Sequence, residues 1–261
     1  MSAWDSRNRR EPRTPAGPAE QASAFRNLCR SSPWKWQSLR FEYLDRPAAA
    51  AAPDPSSGPA AGPDLVRAWL RRPGALRLET ADGLVLHSTT GINDSRDGFY
   101  VQSTRTSWLR GLVRRRPEAA YGEPGFGNGR FAAALDPVEL AGNAPVPLEF
   151  PNSNAVELGP LAEVDHEGRP ALETTVIPNS GYRPGDPGAP LCRPGRTLLR
   201  IDAGTGVCVA SRWLEDASAG YGHWLRILAV DEYMLDDLFL AESMNLTDVR
   251  RHISWDVSPG V

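Results

Sequence analysis

The sequence predicts a mainly β domain of the α+β type, built on an antiparallel sheet that is either a meander or a barrel. Glycine and proline occur 24 times each in 261 residues, which favours strands joined by turns over long helices. Apolar and polar residues alternate in many short segments, as is typical of half-buried strands. Hydrophobic residues make up 41% of the chain, enough to build a core.

Low-complexity segments divide the chain. Residues 1–22 are polar and without periodicity, so we expect a disordered N-terminal tail. Residues 46–63 are rich in proline, alanine and glycine, which predicts a flexible loop. These boundaries place one β domain over residues 24–245, and residues 246–261 form a C-terminal tail.

The first predicted strand is aromatic. Its apolar residues alternate with polar ones, but the alternation changes from even to odd positions near Gln37 and Ser38. One extra residue at that point would place all the apolar side chains on the same face of the strand. We therefore expect a bulge there, with four side chains buried on one side: Trp34, Trp36, Leu39 and Phe41.

A hairpin is expected next. A helix over residues 64–72 is an alternative, but the Pro73-Gly74 turn and the alternation of Leu76 and Leu78 favour two strands. The pair Asp82-Gly83 then predicts a second hairpin turn.

The middle of the chain is less regular. Residues 99–101 suggest one more strand, residues 103–130 have no clear period and predict a long loop, and 130–135 suggest a short helix. Strand patterns return at short spacing in the C-terminal half, which predicts successive antiparallel strands; they cover residues 155–164, 171–177, 197–202, 206–213 and 223–233.

The order of these segments resembles the superfamily of the lipoprotein carrier LolA and the sigma-factor regulator RseB, closest to uncharacterised relatives from high-GC bacteria. The matching segments are 34–41, 68–79, 135–137, 168–170, 199–206 and 230–239. The resemblance implies a curved antiparallel sheet that forms a half-open barrel around an apolar cavity, with a few helices covering one side. Relatives use that cavity for acyl chains or partner segments.

Apolar side chains on the first strands are the candidate ligand-binding residues, because a sheet curved into a half barrel does not fill its interior with side chains alone. Ordinary core packing is the alternative. The candidates for the cavity wall are Trp34, Trp36, Leu39, Phe41, Trp69, Leu76 and Leu78.

No catalytic or metal-binding motif is recognisable in the sequence. His166 lies in a turn, without the spacing of a second ligand, and Cys192 lies in a Pro/Gly loop. We expect no catalytic residue, no metal and no cofactor. The three cysteines, Cys29, Cys192 and Cys208, are expected to be reduced, with a Cys29–Cys192 disulfide as the alternative.

Charge and hydropathy narrow the partners. A net charge of −3 argues against nucleic acid, and the basic run Arg114-Arg115-Arg116 is read as solvated surface, or else as the site of a local anionic partner. The sequence contains no apolar run of transmembrane or secretory type, so we expect a cytoplasmic location.

These observations predict a non-catalytic cytoplasmic binding module that holds an apolar ligand or a peptide segment in a half-barrel cavity. The alternative is a regulatory or structural protein-interaction domain with a filled core.

Overall fold

The computed structural model describes residues 17–46, 65–72, 74–90, 107–116, 130–147, 149–215 and 219–240. Four predicted features lie wholly or mostly outside these ranges: the N-terminal tail up to residue 16, the loop after Arg46, the strand at 99–101 and the tail 246–261.

The fold is a ten-stranded antiparallel sheet with two α-helices in the described part of the chain. The helices are α1 (Pro18–Lys35) and α2 (Arg130–Leu135), and short 3-10 helices cover Pro137–Leu140, Pro151–Ser153 and Asp236–Phe239. The strands are β1 (Ser38–Arg46), β2 (Val66–Arg71), β3 (Ala75–Thr80), β4 (Val85–Thr89), β5 (Ser107–Leu109), β6 (Leu112–Arg115), β7 (Val156–Leu158), β8 (Ala162–His166), β9 (Arg169–Pro178), β10 (Thr197–Asp202), β11 (Cys208–Trp213) and β12 (Gly222–Val230).

The sheet is open. Its order is β4-β3-β2-β1-β12-β11-β10-β9-β7, with β8 beside β9, while β5 and β6 form a separate hairpin. Within the described residues β4 and β7, at the two ends, do not pair with each other. The predicted class, a mainly β half-open antiparallel sheet with few helices, is confirmed.

The N-terminal segment corrects two expectations. Residues 18–22, expected in the disordered tail, begin α1, and Trp34 lies in its last turn rather than on a strand. Pro18 suits the first helical position, where its missing N–H costs nothing. Phe25, Leu28 and Cys29 lie at helical spacing and are buried, which outweighs the short alternation at the end of the segment.

The prediction of a bulge at Gln37 and Ser38 is wrong, because the irregularity lies at another position and on another strand. Because α1 continues to Lys35, β1 starts at Ser38 and alternates regularly, burying Leu39 and Phe41 on one face. The irregularity lies opposite, on β12, where Arg40 pairs with Ala229 and Phe41 with Ile227, so that the intervening Leu228 is the extra residue.

The hairpins around β3 follow their turn chemistry. β2 and β3 pair in unbroken register, and Gly83 between β3 and β4 has a φ of +92°, a conformation that favours glycine. The β5–β6 hairpin falls inside the predicted long loop 103–130 and corrects it. Its turn residues Arg110 and Gly111 both have positive φ, at 52° and 79°.

Both helices cover the same face of the sheet. Phe131 of α2 packs against Phe41 and Tyr43 of β1, with ring centres 5.4 Å apart in each pair. Phe25 and Leu28 of α1 belong to a cluster with buried residues of β9 and β10. No helix in the described ranges is long and apolar enough to cross a membrane.

Candidate functional site

Most of the predicted cavity residues lie inside packed core. Five of the seven belong to one buried cluster, and their exposure is at most 1%: Trp36, Leu39, Phe41, Leu76 and Leu78. Trp34 is half-buried beneath the guanidinium of Arg116, and Trp69 points to the other face of β2, against Met234 and Phe239. The structure therefore brings five candidates together and leaves two apart. Their role as the wall of a ligand cavity stays a prediction.

Trp36 shows how tightly this region is filled. Its indole N–H donates to the Ser32 hydroxyl at 3.3 Å, and the guanidinium of Arg72 lies 3.2 Å from the centre of its ring. Arg72 in turn donates to the carbonyl oxygens of Pro33 and Trp36, so the end of α1 is fastened to the β2–β3 turn. The indole of Trp36 and the guanidinium of Arg72 are therefore both part of the packed interior.

A groove of about 690 Å³ lies beside α1, and we call it the basic groove. One wall is a single face of α1, the floor comes from β6, and the other wall comes from the loop after the 3-10 helix Pro137–Leu140. Its lining residues are Ala19, Ala22, Ser23, Arg26, Arg30, Arg114, Arg115, Pro145, Val146, Pro147, Pro151 and Asn154.

Four arginines line the basic groove, and none of its lining residues is a carboxylate. Arg114 and Arg115 are exposed, Arg26 is half-buried, and none of these three forms an ion pair with a described residue. The Nε atom of Arg26 is buried without a hydrogen-bond partner, while its Nη2 atom donates to the Val156 carbonyl at 3.3 Å. Positive charge is thus concentrated here, and no described residue that lines the groove supplies a counter-charge.

Arg30 forms the inner end of the groove and is fully engaged. Its guanidinium donates to the carbonyl oxygens of Ala141 at 2.6 Å, Gly142 at 2.8 Å and Ala144 at 3.0 Å. The pKa of Arg30 is lowered to about 10, mainly because the group is buried and in smaller part because of neighbouring positive charges, among them Arg26 and Arg114. A bound anion would oppose this mutual repulsion.

The outer wall of the groove is apolar. Pro145, Val146 and Pro147 face α1, and Phe150 lies just beyond them in the chain with 64% of its surface exposed. Ala19 and Ala22 keep the opposing helix face shallow. The groove therefore combines apolar walls with cationic ends, which suits a chain that carries both apolar and acidic side chains.

A buried serine–histidine pair lies elsewhere in the core. The Ser211 hydroxyl donates to His223 Nδ1 at 2.8 Å, because His223 Nε2 carries the proton it donates to the Cys208 carbonyl at 2.8 Å. Burial lowers the pKa of His223 to about 3. His223 has no exposed surface and Ser211 almost none, so this pair orders the sheet rather than presenting a nucleophile.

The cysteines and His166 have structural surroundings as well. Cys29, Cys192 and Cys208 are free and buried, and burial raises the pKa of Cys29 to about 12. His166 Nε2 donates to the Leu225 carbonyl at 2.9 Å. Among the described residues no group of histidine, cysteine or carboxylate side chains is arranged to hold a metal ion.

The sequence indicated only part of the basic groove. The run Arg114-Arg115-Arg116 was recognised as a basic cluster, but Arg26 and Arg30 were not, because the segment that holds them was not predicted to be a helix. The missed signal is the spacing of Ala19, Ala22, Arg26 and Arg30, which places them on one helix face.

Comparisons with known proteins identify no close relative. No family model matches the chain, and no curated protein matches it. Among solved structures, a crystal structure of MucB matches with 15% identity and a TM-score of 0.35, covering 87% of this chain. The chain spans 64% of the length of that MucB chain.

Proposed function

We propose that this protein is a non-catalytic binding domain that takes an acidic, partly apolar peptide segment of a partner protein into the basic groove. The observation that carries the proposal is the set of four arginines in a recess of about 690 Å³ that contains no carboxylate. Of the two functions predicted from the sequence, this favours the protein-interaction domain with a filled core. The absence of catalysis and the cytoplasmic location stay predictions.

The apolar walls of the groove support a peptide as the ligand. A single-stranded nucleic acid is typically bound with its bases stacked on aromatic side chains, and none of the residues that line the groove is aromatic. An extended peptide can place acidic side chains on Arg114 and Arg115 while its apolar side chains lie against Pro145 and Val146. Exposed Phe150 at the rim would extend that apolar contact.

The test is fluorescence anisotropy with a labelled twelve-residue peptide that alternates glutamate with leucine and proline, alongside the same peptide with glutamine in place of glutamate. We expect saturable binding of the acidic peptide only. The double variant R114Q/R115Q should weaken it by about ten- to a hundredfold, since two charge-assisted contacts are lost.

The matched control is Arg196→Gln, which removes an equally exposed arginine that is paired with Glu215 outside the groove. This variant should bind as the wild type does. Equal binding of the glutamine peptide, or an equal loss in the control, would contradict the proposal.

The apolar-ligand function is tested in parallel by titration with a fluorescent fatty acid. If the core is filled, we expect no saturable binding of the fatty acid. Trp36, Leu39 and Phe41 belong to one packed cluster and are buried, so they leave no room for an acyl chain. Saturable binding that Trp36→Ala weakens would instead favour the half-barrel cavity predicted from the sequence.

A further inference from the structure

The face of the sheet turned away from α1 and α2 carries a second group of arginines. On β10 the core takes Leu199 and Ile201, so Leu198 and Arg200 point to the opposite face. Arg46 on β1 and Arg212 on β11 lie on this same face, and both are half-buried. The basic groove is on the helix-covered side, so this second site is separate from it.

Arg46 and Arg212 face each other across a glycine. Gly222 of β12 is the direct cross-strand partner of Arg46 on one side and of Arg212 on the other. A Cβ atom at Gly222 would lie 1.9 Å from the carbonyl oxygen of Ser211, so no side chain fits there. Neighbouring strands are about 5 Å apart, which leaves two guanidinium groups on either side of an empty strand position. We call this recess the Gly222 notch.

A small pocket of about 30 Å³ lies beside Gly222 and is lined by both arginines, and we include it in the notch. Its side-chain lining comes from Arg46, His166, Leu198, Arg200, Arg212 and Trp224. His166 closes one side, with its ring centre 6.2 Å from that of Trp224 and its Nδ1 atom 3.4 Å from Arg200 Nη1. A recess of this size holds about two water molecules, so two oxygens of an anion can enter it while the others stay at its mouth.

The charges around the notch do not cancel. Arg200 is paired with Glu173 at 2.7 Å, but neither Arg46 nor Arg212 forms an ion pair with any residue in the described ranges. Burial lowers the pKa of Arg46, and the like charges of Arg212 and Arg200 lower it further. His166 offers no negative charge either, because it is a neutral donor to a backbone carbonyl.

We propose that the Gly222 notch binds a compact, doubly charged oxyanion of the phosphate-monoester class, held between the guanidinium groups of Arg46 and Arg212. Planar guanidinium groups bind phosphate oxygens in bidentate fashion, and two of them match a dianion. Both arginines line the pocket, so an anion in it lies between them, and Trp224 forms part of its wall.

Isothermal titration calorimetry with inorganic phosphate, at constant ionic strength set by chloride, tests the proposal. We expect saturable binding at one site in the wild type. Arg46→Gln and Arg212→Gln should each weaken phosphate binding about tenfold. Arg212→Lys keeps the charge but loses the planar guanidinium, so its affinity should lie between those of the wild type and Arg212→Gln. Circular dichroism melting of each variant confirms that it is folded.

Two controls locate the site. Arg226→Gln removes an arginine from the next strand position of the same face, where it lies 3.8 Å from Glu42 and from Glu167, and it should leave phosphate binding unchanged. The groove variant R114Q/R115Q should also leave it unchanged. The proposal would be overturned if the wild type showed no saturable phosphate binding, or if Arg226→Gln or R114Q/R115Q weakened that binding. Neither result would bear on the proposed binding of a peptide.

Two further titrations identify the source of the phosphate group. O-phosphoserine in solution represents a phosphorylated side chain, and vesicles of phosphatidylcholine with added phosphatidic acid represent a lipid headgroup. Binding of either that depends on Arg46 and Arg212 supports the shared chemistry and names its source. If inorganic phosphate and both probes bind to the Arg46 and Arg212 variants as tightly as to the wild type, the proposal is refuted.

Discussion

Among individual side chains, His223 is a fully buried histidine whose pKa is strongly lowered. It is fully buried, it stacks on Tyr43 with ring centres 5.8 Å apart, and both its ring nitrogens are hydrogen-bonded in the neutral state. Protonation would place a charge in the core and abolish the acceptor for Ser211. The neutral imidazole is therefore part of what holds β11 against β12.

His223 predicts loss of stability in acid. Its folded pKa of about 3 lies below the ordinary 6.5, so the unfolded chain binds one more proton between these values, and stability present above pH 6.5 falls as the pH falls towards 3. The slope from one proton is about 1.4 kcal/mol per pH unit. Urea unfolding at several pH values should show it, and His223→Gln should remove that contribution.

The comparison for His223 is His87→Gln, which changes a half-buried histidine on the edge strand β4. It should leave the acid slope as in the wild type. An unchanged slope in the His223 variant would show that other groups cause the loss of stability.

Phe41 tests whether the predicted cavity wall is core. Its side chain has no exposed surface and contacts Phe131, so Phe41→Ala should lower the free energy of unfolding by about 3–5 kcal/mol in urea titrations. Leu86→Ala, at an exposed position on β4, should change it by no more than about 0.5 kcal/mol. A loss at Phe41 no larger than that at Leu86 would mean the interior is not filled.

Among the helices and strands, α1 depends on one buried cation for its position. Arg30 donates to the carbonyl groups of Ala141, Gly142 and Ala144, which follow the 3-10 helix Pro137–Leu140. Within α1 it also donates to the Asn27 side chain at 2.9 Å. These contacts connect α1 to the loop that forms the other wall of the basic groove. The width of the groove is therefore set by the reach of one guanidinium.

Arg30→Lys should loosen this connection, because an ammonium on one flexible stem does not reproduce four donors in a planar fork. We expect a loss of about 2–4 kcal/mol in unfolding free energy, with faster amide hydrogen exchange at 141–147. Arg26→Lys is the matched change, since Arg26 makes one long contact at 3.3 Å, and it should cost less than about 1 kcal/mol. Equal losses would contradict the assigned role.

Local patterns predicted strands and hairpins better than they predicted the helix. The turns at Pro73-Gly74 and Asp82-Gly83 carry their own conformational preference, so β2, β3 and β4 could be read directly. Sequence patterns did not predict α1, because Trp34 and Trp36, at its C-terminal end, alternate with polar residues as in a strand. The buried face of the helix lies earlier in the chain, around Phe25 and Leu28. The β5–β6 hairpin was missed because Arg110 is an unusual residue for a turn with positive φ.

For the chain as a whole, the sheet was predictable and the candidate site was largely not. The basic groove joins α1, β6 and the loops around Pro145 and Pro151, which are far apart in sequence, and no local period marks such a combination. The Gly222 notch depends on the register of β1, β12 and β11, which follows only from the complete sheet. The apolar candidates were visible in the sequence because the same pattern that builds a core also marks a cavity wall.

The pairing of β1 with β12 has a consequence for how the protein is made. These strands are neighbours at the centre of the sheet, yet Leu39 pairs with Val230 near the far end of the described chain. During synthesis β1 through β3 leave the ribosome with one side of β1 unpaired, and that side has no partner until β12 has also emerged. Such distant pairing makes folding slow, and an interrupted chain would expose the backbone of β1 to any strand that arrives first.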